Sequence, residues 1–289
     1  MKLRRRLRIA LLLAPALLVV AVFFGAGVVQ AVAQSLGYQP YLDGWHWSTD
    51  AYRLLWQDPA VRASFALTAR VSLMSTVLAA VLGVGLALLL RRLGRGRRWA
   101  AGLLQADLAV PHLVGALCMQ LLLSQTGLLS RLAHAVGLTA SPAQFPALTA
   151  DALSVAVVAE YAWKETPFVA VLALAALGRG ARELEGAAAV LGAGPWQRLR
   201  YVTLPLLAPS VAAGSVLVLA FTAGSYEVPY LLGRPYPATL PVVAYRLYRD
   251  TDLTARPEAM AVAVVISVLS LAVVAAYVAL VARLARRPV

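Results

Sequence analysis

Long apolar runs separated by short polar stretches dominate this chain. Six stand out, roughly Ile9–Val32, Ala63–Leu90, Ala100–Leu123, Leu153–Leu177, Leu206–Ala223 and Met260–Val281. Each is near the ~20 residues whose helix crosses a bilayer core. Lipid offers the backbone no hydrogen-bond partner, so such spans are helical. The pattern therefore predicts an all-α polytopic membrane protein, one transmembrane domain of six helices over residues 1–289. Pro15, Pro111 and Pro167 fall inside runs, which a surrounding bundle tolerates. Ala79, Gly83 and Ala87 recur every fourth position of the second run, a stripe that lets helices approach closely. The first run follows Lys2–Arg8 and ends near Ala31-Val32-Ala33, as a cleaved signal peptide does. It exceeds the ~7–15 residues of a signal core, so it reads as a retained anchor.

Composition agrees. Of 289 residues 61% are hydrophobic, mean hydropathy is +0.75, and a soluble domain holds about 45–50% apolar residues. The formal charge of +13 is a topology signal, and its distribution excludes a nucleic-acid stripe. Seventeen of the 26 Lys and Arg lie at the N-terminus, between spans two and three, between spans four and five, and at the C-terminus. Seven lie in the alternate loops, and Arg70 and Lys164 lie within spans. The positive-inside rule then puts both termini and the 178–205 loop in the cytoplasm. The basic side also attracts anionic lipid.

The predicted outer loops are more mixed. Gln34–Arg62 carries Tyr38, Tyr41, Trp45, Trp47, Tyr52 and Trp56, which suit the outer membrane interface; a partner's docking face is the alternative. Thr126–Asp151 offers only Pro and Gly turns. The lone Cys118 excludes a disulfide framework. His46, His112 and His134 share no ligand spacing, so no metal site is predicted.

Ionisable groups inside spans are costly and point to function. Asp107 lies in span three near Pro111 and His112; Glu160, Lys164 and Glu165 lie in span four. Glu160 and Lys164, four apart, share a helix face and can pair, while Glu165 points about a hundred degrees from Lys164. Two readings stay open: groups lining a translocation path, or a self-neutralising pair in a kinked helix. Glu227 sits near the outer mouth, facing solute or water. The acids outnumber the base, so a path lined by them favours a cation.

Between spans four and five lies Glu185–Pro209, EGAAAVLGAGPWQRLRYVTLPLLAP. Glu183–Leu191 are good helix formers. Gly192, Ala193 and Gly194 end that helix, and Pro195 suits the first turn of another. A helix–turn–helix at a membrane surface either fits a partner's groove or simply connects two spans. The segment resembles the cytoplasmic EAA loop of permease subunits of binding-protein-dependent ABC importers. Gly192 and Ala193 match its Gly-Ala step, Ala187 and Ala188 its small positions, and Trp196, Leu199, Leu204 and Pro205 its apolar positions and closing Leu-Pro. The family's Glu falls on Gly186, so Glu183 or Glu185 takes its place. Trp163–Phe168 also resembles the family's fourth span. Glu227–Gly233 with Thr239-Leu240-Pro241 resembles its polyamine branch.

This resemblance implies a short coupling helix that contacts a cytoplasmic ATPase through Glu185, Ala187, Ala188, Leu191 and Gly192. It also implies a second permease subunit, with a homologous heterodimer favoured, and an extracytoplasmic solute-binding protein. The setting is a bacterial inner membrane, and the solute a small, polyamine-like cation. No catalytic residue and no cofactor is predicted. The only lysines, Lys2 and Lys164, follow no Gly-x4-Gly-Lys-Ser/Thr loop, and Gly-x-Ser-x-Gly and His-Glu-x-x-His are absent. ATP hydrolysis would thus reside on a partner. The alternatives are an ATP-independent transporter or channel, which needs inverted repeats or an ion relay, and a membrane-embedded enzyme.

Overall fold

The computed structural model describes residues 2–40, 42, 44–93 and 96–285. Tyr41, Arg95, Arg286 and Arg287 lie outside the described residues. Thirteen α-helices account for most of what is described, with no strand among the described residues. They are α1 (Lys2–Ser35), α2 (Asp50–Gln57), α3 (Pro59–Leu90), α4 (Arg97–Ala109), α5 (His112–Leu123), α6 (Leu128–Ala135), α7 (Val155–Ala176), α8 (Arg179–Val190), α9 (Pro195–Arg198), α10 (Leu204–Gly224), α11 (Glu227–Leu232), α12 (Leu240–Tyr248) and α13 (Arg256–Ala285). A π-helical turn, Leu199–Thr203, joins α9 to α10.

The chain divides into two compact units, Met1–Arg62 with Val243–Ser267, and Ala63–Val242 with Val268–Val289. In the first, the most apolar 18-residue window of Leu11–Ser35 in α1 contains no buried residue. A helix apolar all round belongs in lipid or against another helix. After it, Tyr38, Trp45 and Trp47 gather into one ring cluster, Tyr38 edge-on to Trp45 at 4.9 Å and stacked on Trp47 at 5.8 Å. Ser35 Oγ lies 2.7 Å from the Tyr52 hydroxyl, and Gln39 Nε2 donates to the Leu253 carbonyl at 3.1 Å.

The second unit is built around α7, which packs against α4, α5, α10 and α11. Twelve of its residues are buried. Leu67, Val71, Ala116, Val157, Tyr161, Val228 and Leu232 form one apolar core, and Ala87, Ala173, Leu177, Ala181 and Leu207 another. The small stripe of α3 is buried: Ala79 and Ala87 expose 0%, and a Cβ on Gly83 would lie 2.7 Å from the Val169 Cβ of α7. Glycine permits that approach.

Among the described residues, five helical stretches are long and apolar enough to cross a bilayer: Leu11–Ser35, Pro59–Leu90, His112–Ala135, Pro195–Gly224 and Leu253–Val281. Four contain or overlap the predicted spans one, two, five and six. The predicted third span, Ala100–Leu123, is broken into α4 and α5. Val110 and Pro111 are extended, with ψ of 124° and 144°. A proline disfavours the α region for the residue before it and removes a helical donor. Pro111 therefore ends one helix and starts the next, whereas Pro15 and Pro167 lie inside continuous helices. The segment Thr126–Asp151, read as turns alone, contains α6. The fourth predicted span is α7. Its 22 residues reach about 33 Å at 1.5 Å per residue, but Glu160, Lys164 and Glu165 set it apart from the five apolar stretches.

Candidate functional site

Most of the predicted functional residues fall into two groups, one where α4, α5 and α7 meet and one from α8 to the start of α10, with Glu227 apart on α11. At the first, the break at Pro111 leaves the C-terminus of α4 and the N-terminus of α5 inside the unit. The last carbonyls of a helix lack intrahelical donors, and its first N–H groups lack acceptors. α7 meets both ends. Lys164 Nζ donates to the Asp107 carbonyl in the last turn of α4, and lies 4.0 Å from Asp107 Oδ2. At the start of α5, His112 Nδ1 lies 3.2 Å from Glu160 Oε1 and its Nε2 lies 3.5 Å from Glu165 Oε1. The signs match the helix dipoles: a cation at a C-terminus, carboxylates near an N-terminus. Glu160 exposes 0% and Lys164 4% of its surface. The His112 ring also lies tilted against Phe221, ring centroids 4.8 Å apart. A Cβ on Gly115 would lie 2.9 Å from Glu160 Oε1, so that glycine admits the carboxylate.

Asp107, Glu160, Lys164 and Glu165 are thus brought together, joined by His112, which sequence reasoning left aside. Lys164 engages Asp107 on another helix as well as standing four residues from Glu160. Glu227 begins α11, half-buried. Among the described residues no set of three His, Cys, Asp or Glu side chains is disposed to hold a metal.

The second group builds a projecting knob. α8 ends at Gly192, whose φ of +88° is left-handed. Ala193 N–H donates to the Ala188 carbonyl and Gly192 N–H to the Ala189 carbonyl, each at 3.0 Å. This paired closure is the Schellman motif, and it calls for glycine at the left-handed position. Gly194 then precedes α9, its N–H accepted by Gln197 Oε1 at 2.8 Å, with Pro195 at the first helical position. The turn displays apolar side chains to solvent: Val190 is 89%, Leu191 87% and Trp196 69% exposed. Glu183, Gly186 and Ala187 are exposed as well, while Ala188 and Ala193 are half-buried. Leu204 and Pro205 open α10.

Glu185 faces the other way. Arg91, just past α3, grips it with Nη1–Oε1 at 2.9 Å and Nη2–Oε2 at 2.5 Å. Thr203 Oγ1 donates to Oε1 at 2.5 Å. Hydrogen bonding from Arg91 holds the Glu185 carboxyl below the ordinary glutamate range; partial burial opposes this and the Thr203 bond adds to it. The same bond raises the Arg91 pKa. Of the two candidate acids, Glu185 is therefore engaged within the chain and Glu183 is exposed at the surface. Arg91 and Thr203 carried no sequence signal beyond a basic loop and a polar position before Leu-Pro.

Residues 79–287 match the family model of the binding-protein-dependent transport system inner membrane component. The molybdenum transport system permease protein ModB of Mycobacterium tuberculosis is 33% identical over 77% of this chain and 78% of its own length. The putrescine transport system permease protein PotI of Escherichia coli K12 is 28% identical, over 84% and 81%. The trehalose/maltose permease MalF of Thermococcus litoralis is 29% identical, over 69% and 66%. In fold, the chain is similar to one chain of a bacterial ABC transporter that imports the acidic polysaccharide alginate. That match has a TM-score of 0.75 and 20% identity, and covers 98% of this chain and 99% of the other. With its all-helical fold, its apolar helices and the knob at Gly192, the chain belongs to the family of binding-protein-dependent transport system inner membrane components, the permease subunits of ABC importers.

Proposed function

We propose that this chain is one half of the pore of an ATP-driven importer, moved by a separate cytoplasmic ATPase that grips the α8–α9 knob. The observation that carries this reading is the exposure of Val190, Leu191 and Trp196 at the Gly192 turn, in the loop that the positive-inside rule assigns to the cytoplasm. An exposed apolar patch marks a protein or membrane contact, and a rigid turn between two helices fits a partner's groove. A solute-binding protein delivers cargo from the other side, and a homologous sister permease completes the pore. ATP binding and hydrolysis on the partner bias the bundle between its two openings, which needs only that the partner's states differ in affinity for them.

The solute is read as a small polyamine-like cation. The excess of Asp107, Glu160 and Glu165 over Lys164 supports this reading, as does the putrescine permease among the relatives. The molybdenum permeases, at higher identity, support a second reading, an oxyanion. Proteoliposomes holding the chain and its copurifying partners decide between them. ATP-dependent uptake of labelled putrescine with none of molybdate supports the first, and the reverse overturns it. The ATP-independent alternative draws on the His112–Glu160–Glu165 contact, which has the chemistry of a proton relay. Uptake at an undiminished rate without ATP would establish it.

A further inference from the structure

α8 has little hold on the rest of its unit. Among its described side chains only Ala181 is fully buried, and Leu184, Val190 and the alanines on its outer face meet solvent. Among the described residues, its charged tie is Glu185. The two nitrogens of Arg91 meet the two carboxylate oxygens in a fork, a geometry that fixes direction as well as distance. Thr203, 3% exposed, adds a third bond from the π-helical turn. Three elements therefore meet at one carboxylate: the end of α3, the middle of α8 and the residue before α10.

We propose that Arg91 is the positioning residue of the knob. Through Glu185 and Thr203 it makes α8, the end of α3 and the start of α10 one rigid body, so that a push on Leu191 reaches two pore helices together. This deepens the ATPase-coupling reading and rests on it. Without the tie, α8 would swing on the Gly178 and Gly192 turns and absorb the partner's motion. A lysine at position 91 would keep the charge but lose the fork.

The test uses the full chain with the ATPase that copurifies with it, in a Cys118→Ser background. Spin labels at Leu89→Cys and Arg182→Cys, both exposed, report the α3–α8 distance by pulsed dipolar spectroscopy. The probes are no nucleotide, and ATP with vanadate. The unaltered clamp gives one narrow distance, the same in both conditions. Arg91→Gln, which retains the ATPase, and the milder Glu185→Gln, which keeps the Thr203 bond, lose the narrow distance with ATP and vanadate. Glu183→Gln, exposed on the same helix, keeps it. A distance that shifts with nucleotide in the unaltered clamp, or stays narrow in Glu185→Gln, overturns the proposal and leaves the coupling reading standing. If no ATPase follows the unaltered chain, both fall together.

Discussion

His112 Nδ1 and Glu160 Oε1 lie 3.2 Å apart, joining the first turn of α5 to the middle of α7 across 48 positions of sequence. With Lys164 on the Asp107 carbonyl, this contact makes α7 a brace over the Pro111 break. Each ionisable group of α7 meets a helix end of matching polarity. Removing His112 leaves a buried carboxylate without its partner. His112→Ala is expected to lower stability by about 1–3 kcal/mol, the cost of leaving a buried hydrogen-bonding group without its partner. Glu160→Gln, which keeps a hydrogen bond at Nδ1, costs no more than about 1.5 kcal/mol, one net hydrogen bond. Thermal unfolding in detergent separates the two, and equal stability of His112→Ala and the parent would refute the brace.

Much of this was legible in the chain, and what was not has physical causes. The apolar runs announced the helices because lipid-facing residues carry no competing pattern. The Gly192-Ala193 step announced the turn because only a left-handed residue closes it. Pro111 was visible, but whether a proline kinks or breaks a helix depends on what receives the freed backbone groups. Here Lys164 receives one of them from another helix. The Arg91–Glu185 pair spans 94 positions, and no local spacing encodes it. The π-helical turn at Leu199–Thr203 likewise leaves no periodic trace.

Gly83 and Gly85 provide a matched pair on α3. A Cβ at Gly83 would meet the Val169 Cβ at 2.7 Å and Cγ1 at 2.9 Å, and one at Gly85 meets nothing within 4 Å. Gly83→Ala should cost about 1–3 kcal/mol of overpacking. Gly85→Ala should cost nothing and can gain a few tenths from helix propensity. Denaturation curves of the two variants, run side by side, check the difference.

At Gly192 the cost is conformational alone, since a Cβ there meets nothing within 4 Å. The φ of +88° predicts that Gly192→Ala loses about 1–2 kcal/mol, while Gly192→Asn loses less, because asparagine visits this region. If the knob docks the ATPase, copurification should fall in the same order. Identical yields for all three proteins would separate the turn from docking.

Acid should release the clamp. The Glu185 carboxyl is depressed by Arg91, so its contribution to stability is present above the ordinary glutamate value of about 4.3 and is lost as pH falls through the lower folded-state value. The stability gap between the parent and Glu185→Gln should be full at neutral pH and should close in acid. A gap independent of pH would show that the carboxylate charge contributes nothing.

The claim on which the rest stands is that the turn at Leu191 is gripped from the cytoplasm by a nucleotide-hydrolysing partner. A photo-reactive amino acid placed at Leu191 in intact cells, followed by mass spectrometry of the adduct, tests it most directly. The expected adduct is a P-loop ATPase, and the same probe at Trp56, in the predicted outer loop, yields none. An adduct at Leu191 with an extracytoplasmic protein, or with lipid alone, would contradict it.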